Sequence, residues 1–99
     1  MYLNESQITQ IKNFFQDKPV EKVFLFGSYA VGDANEESDI DLLIESQKDF
    51  DYLKFRVDMD SLSNQLKKKI DIISFNALNR DRIFTKYVMI QKVMLYEKN

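Results

Sequence analysis

The sequence predicts an α/β chain in which short apolar strands alternate with amphipathic helices around one core. Three observations carry that expectation. Apolar runs of strand length lie at 20–26, 39–44 and 70–75. Between and around them, apolar residues recur at three- and four-residue steps, the period of a helix with one buried face. Turn chemistry separates the two kinds of segment: Gly27, Gly32 and the single proline, Pro19, all fall at their borders.

The chain of 99 residues fits one small domain, expected to span 1–99. Its apolar share of 44% is that of a globular chain, not a disordered one. A formal net charge of −2 supplies no basic field to draw in nucleic acid. There is no cysteine, which excludes a disulfide framework and a thiolate metal site. There is no histidine, which excludes Ser-His and Cys-His nucleophilic chemistry and leaves carboxylates as the metal ligands. No apolar run approaches the length of a membrane helix. The first residues lack a basic start followed by an apolar core, so a cytoplasmic location is the default expectation.

Taken in order, Asn4 or Ser6 caps a first helix, with Gln7 in capping-box position relative to Asn4. Ile8, Ile11, Phe14 and Phe15 form its stripe, and Lys18 before Pro19 ends it. A strand follows over 20–26, apolar without interruption from Val23, as expected where both faces are covered. Gly27 breaks it, 28–31 forms one helical turn, and Gly32 closes that turn. The segment 33–38 is a polar connection whose Asp33, Glu36 and Glu37 read as solvated.

A second strand covers 39–44. A helix of about 51–68 comes next, with Leu53, Val57, Leu62 and Leu66 expected to point inward. Lys67, Lys68 and Lys69 suit its C-terminal end, where positive charge meets the helix dipole, better than a nucleic-acid patch. The third strand, 70–75, carries one aspartate among isoleucines. Asn79 caps a last helix of about 80–90 with Ile83, Tyr87 and Ile90 on one face, while Arg80, Arg82 and Lys86 read as its solvated side. A short strand at 93–96 ends the chain.

The chemistry concentrates between 27 and 71. Residues two apart on a strand share a face, so Asp39 and Asp41 project together while Ile40 and Leu42 enter the opposite layer. Like charges this close resist ionising together, and a site that keeps both charged needs a cation. With no nitrogen or sulfur ligand available, hard-oxygen ligation of Mg²⁺ or Mn²⁺ follows. Asp71 interrupts Ile70, Ile72 and Ile73, where an unpaired buried charge would cost several kcal/mol. If its strand neighbours the second one, Asp71 can lie beside Asp39 and Asp41, and three aspartates around two metals suit in-line phosphoryl or nucleotidyl transfer. Gly27 and Ser28, at a strand end before a helical turn, offer N–H groups and a hydroxyl to phosphate.

Gly27-Ser28, then Gly32, then Ser38-Asp39-Ile40-Asp41, then a lone aspartate in a later strand resembles the minimal nucleotidyltransferases of the DNA polymerase β superfamily. The resemblance spans nearly the whole chain. It implies a polymerase-β-like nucleotidyltransferase fold, a small mixed sheet with flanking helices. It implies that Gly27 and Ser28 hold the triphosphate of ATP and that Asp39 and Asp41 bind Mg²⁺, two ions in all. Asp71 would share one ion and help activate the attacking hydroxyl. It also implies a partner, a HEPN-domain toxin, which such a protein counters as antitoxin, in some cases by attaching AMP to a tyrosine. Self-association is a further expectation. A second reading is an antitoxin that acts by binding alone. The chain departs from the family where Tyr29 and Val31 stand in place of arginines.

Overall fold

The computed structural model describes residues 1–47, 51–78 and 82–98. Its elements are α1 (Glu5–Phe15), β1 (Val20–Phe26), α2 (Ser28–Val31), β2 (Ile40–Ser46), α3 (Tyr52–Leu66), β3 (Ile70–Ser74), α4 (Phe75–Leu78), α5 (Arg82–Gln91) and β4 (Val93–Glu97). The strands form one mixed sheet in the order β3-β2-β1-β4. β1 runs antiparallel to both β2 and β4, while β2 and β3 are parallel. This is the small mixed sheet with flanking helices that the resemblance implied.

Alternation along the strands builds two apolar layers. Val23 and Leu25 of β1, with Ile40, Leu42 and Ile44 of β2, face the larger core, which α1 and α3 cover through Ile11, Phe15, Phe55, Met59, Leu62 and Leu66. Phe24 and Phe26 of β1, with Leu43 of β2, face a smaller core closed by Leu78 and by Val88 of α5. The continuous apolar run at the end of β1 follows from this, because both of its faces are covered.

The first helix is capped by Asn4, not Ser6. Asn4 Oδ1 accepts from the Gln7 N–H at 2.8 Å, and Gln7 Oε1 accepts from the Asn4 N–H at 2.9 Å, completing the capping box.

Three sequence expectations are corrected. In α3, Leu53 and Val57 point to solvent, 77% and 70% exposed, and the inward stripe is Phe55, Met59, Leu62 and Leu66. That set repeats at four, three and four residues, whereas Leu53 and Val57 sit roughly half a turn away from Phe55. The third strand ends at Ser74, and Phe75 starts the short α4. On α5 the buried residue is Val88, and Ile83, Tyr87 and Ile90 face outward. The predicted cap Asn79 and the predicted surface residue Arg80 lie outside the described residues. Among the described residues, no helix is long and apolar enough to cross a membrane.

Candidate active site

Register brings the predicted residues to one edge of the sheet. β1 ends where β2 and β3 begin, and there Phe26 pairs with Asp41 and Asp41 with Asp71. Cross-strand partners share a face, so both aspartates project with Phe26 and Leu43 toward the smaller apolar layer. Asp39 precedes β2 by one residue and faces Lys69, since Ile40 pairs with Ile70 and the Ile40 N–H donates to the Lys69 carbonyl at 3.0 Å. The Lys69 ammonium lies 3.8 Å from Asp39 Oδ2 and 3.9 Å from Asp71 Oδ1.

The Asp41 carboxyl is pushed up to about 6, first by burial, then by the Asp71 and Asp39 carboxylates, with Lys69 pulling the other way. The edge therefore holds more negative charge than Lys69 offsets.

Gly27 forms the floor beside Asp41. Its φ of 73° and ψ of −155° lie in backbone space open essentially to glycine. A Cβ there would stand 2.2 Å from Asp41 Oδ2. Ser28 opens α2, whose first N–H groups lack intrahelical acceptors as at any helix start. Gly32 closes α2 at φ 85°, where a Cβ would meet the Tyr2 ring at 2.7 Å.

Tyr29 packs in the larger core, 2% exposed, and donates its hydroxyl to the Asn35 carbonyl at 3.4 Å. The side chain at this departure from the family therefore belongs to the layer opposite the carboxylates. Val31 is exposed.

Two lysines that sequence reasoning assigned to a helix end serve the site edge instead. α3 stops at Lys67, which takes left-handed backbone angles, so none of the three lysines lies in its last turn. The Lys68 ammonium donates to the Glu36 carbonyl at 2.5 Å and the Ser38 carbonyl at 3.3 Å, tying down the loop that leads into Asp39. That loop folds on itself, with Asn35 Oδ1 accepting from the Glu37 N–H and Ser38 Oγ from the Asn35 N–H. Lys69 faces the carboxylates directly. The one signal in the sequence was spacing, because Lys69 lies two residues before Asp71 on an extended segment.

The donor set suits a hard divalent cation: oxygen ligands only, three carboxylates on one face, and charge left uncompensated. Among the described residues, no three acidic side chains are drawn together tightly enough to hold an ion as they stand. A cleft of about 340 Å³ opens along β3 between α3 and Asp71. A larger one of about 400 Å³, lined by Lys18, Lys54 and Asp58, contains none of the three aspartates.

The family model described as Polymerase beta, Nucleotidyltransferase matches residues 9–99. The chain belongs to this nucleotidyltransferase family. Two relatives from Methanocaldococcus jannaschii carry the name "Putative protein adenylyltransferase", MJ1215 and MJ0604. The first is 40% identical to this nucleotidyltransferase over 67 residues, 68% of this chain and 78% of its own. The second is 36% identical over 87 residues, 85% of this chain and 81% of its own. Among solved structures, a chain of a toxin–antitoxin crystal structure with AMP-PNP superposes with a TM-score of 0.74 at 21% identity, covering 93% of this nucleotidyltransferase and 74% of that chain. A chain from the complex of a tri-AMPylated Shewanella oneidensis HEPN toxin with its MNT antitoxin gives 0.71 at 17% identity, covering 97% and 74%. At such identities the likeness is one of fold.

Proposed function

We propose that residues 1–99 form one nucleotidyltransferase domain that, with Mg²⁺ and in the cytoplasm, moves AMP from ATP to a hydroxyl of a partner protein. The partner is a HEPN-type toxin, countered by this chain as antitoxin. The observation that carries the reading is the Asp41–Asp71 pairing across β2 and β3, with Gly27 packed against Asp41. The names of the relatives and the toxin–antitoxin origin of the structural neighbours support the acceptor and the partner.

In this reading Asp39, Asp41 and Asp71 hold the metal, which when bound neutralises charge on the triphosphate and on the attacking oxygen. Gly27 and Ser28 receive the triphosphate at the start of α2. The acceptor oxygen bonds to the α-phosphorus, the bond to the bridging oxygen breaks, and pyrophosphate leaves. The acceptor proton passes to the Asp71 carboxylate. The outward face of α5 gives the partner a place to dock, because Ile83 and Ile90 are 85% and 75% exposed. The Phe84 ring, 6.1 Å from that of Phe26, brings this helix beside the strand end that pairs with Asp41.

The test mixes the protein with the toxin encoded beside it, labelled nucleotides and Mg²⁺, and looks for a nucleotide adduct by mass spectrometry. An AMP adduct on the toxin, lost with Asp39→Asn plus Asp41→Asn, is the expected result. Absence of any adduct with all four nucleotides overturns the reading. Neutralisation that survives the double substitution would mean action by binding alone.

A further inference from the structure

We infer that Lys69 is a positioning residue for the carboxylate site: its ammonium is the resident counter-ion, and a divalent cation enters by displacing it. The inference rests on the metal reading proposed above. Backbone placement comes first. Lys69 lies across from Asp39, bonded through its carbonyl to the Ile40 N–H, immediately before β3 and two residues ahead of Asp71. Its ammonium then spans both carboxylates at 3.8 and 3.9 Å.

Those distances are charge pairing without tight hydrogen bonds, and the side chain is largely exposed, so it can leave at little cost. Its neighbours cannot take the part. Lys67 caps α3 in left-handed conformation, and the Lys68 ammonium is engaged by Glu36 and Ser38 carbonyls. Charge balance agrees. Three ionised aspartates are offset by one charge while Lys69 sits between Asp39 and Asp71 and by two when a divalent ion takes its place, so the exchange brings the site closer to neutral. Lys69 thus keeps Asp39 and Asp71 gathered before the metal arrives and raises the metal concentration needed to fill the site.

The test is Mn²⁺ binding to the intact protein by calorimetry, without nucleotide and at low salt. Lys69→Gln should bind Mn²⁺ roughly ten- to twentyfold more tightly than wild type, the size expected for removing one cation about 5 Å from a divalent ion near water. Lys69→Arg should stay within about twofold of wild type, and the gain from Lys69→Gln should shrink as NaCl is added. A loss of packing alone would produce neither the rescue by arginine nor the salt dependence. Lys69→Met serves as the second neutral variant should Lys69→Gln fold poorly. Equal or weaker binding by the neutral variants overturns the inference and leaves the metal reading standing. Binding by no variant and not by wild type at millimolar Mn²⁺ overturns both.

Discussion

Asp41 occupies the space that a side chain on Gly27 would need. A Cβ at Gly27 falls 2.2 Å from Asp41 Oδ2, and the Gly27 backbone has a positive φ of 73°. The bend and the carboxylate therefore specify each other. Gly27→Ala meets both obstacles, backbone strain of about 1–3 kcal/mol and displacement of Asp41. Urea denaturation should show destabilisation of at least about 1 kcal/mol, and ATP binding measured by calorimetry should be lost. A variant with unchanged midpoint and unchanged affinity would mean that the strand end carries no such constraint.

The raised Asp41 carboxyl makes stability depend on pH in a definite direction. Its value is about 6 in the folded protein against 3.8 for the free group. Between those two values the folded chain keeps a proton that the unfolded chain has released. The contribution is therefore fully present below the lower value and is lost as pH rises through about 6. In EDTA, Asp41→Asn should flatten this part of the Tm-versus-pH curve and melt higher than wild type near neutrality. Added Mg²⁺ should then raise the Tm of wild type and not of the variant. An unchanged pH slope in Asp41→Asn would remove Asp41 as its source.

The outward residues of α5 give a prediction that separates folding from partner binding. Ile83 and Ile90 lie mostly in solvent, so Ile83→Asp and Ile90→Asp should change stability by less than about 0.5 kcal/mol. Against the toxin they would place a charge in an apolar contact. The expected loss is at least tenfold in affinity by calorimetry, with the isolated protein's Tm unchanged. Full affinity in both variants would move the docking face elsewhere.

The order of elements was legible because strand and helix periods differ and the punctuation between them is sharp. Asn4 and Gln7 announced their capping box, and Gly27 and Gly32 marked positions with positive φ. The faces of α3 and α5 were not legible. Both sides of α3 carry apolar residues at helical spacing, and only packing shows that Phe55 and Met59 face inward instead of Leu53 and Val57. On α5 the residues grouped on one face, Ile83, Tyr87 and Ile90, are the exposed ones, because Val88 of this helix and Leu78 of α4 already close the small layer over Phe24 and Leu43. At the site, the Asp39–Asp41 spacing told of a shared side, but the partnership with Asp71 depended on strand order. The placement of Lys69 depended on parallel register, and no local pattern encodes either one.

The correction in α3 is itself testable and reaches the site. Phe55 is buried against Phe15, their rings 6.0 Å apart, and it lines the cleft along β3 together with Ile70, Asp71 and Ile72. Phe55→Ala removes an aromatic ring from the layer that supports β3, a loss of about 3–5 kcal/mol, whereas Leu53→Ala on the opposite side should cost less than about 0.5 kcal/mol. Urea denaturation of the two variants checks the assignment, and equal costs would contradict it. Because β3 carries Asp71 and Lys69 directly precedes it, loosening its support should also weaken Mn²⁺ binding in Phe55→Ala below its unfolding midpoint. Leu53→Ala should bind Mn²⁺ as wild type does, so the two substitutions, two residues apart in sequence, should separate cleanly in both measurements.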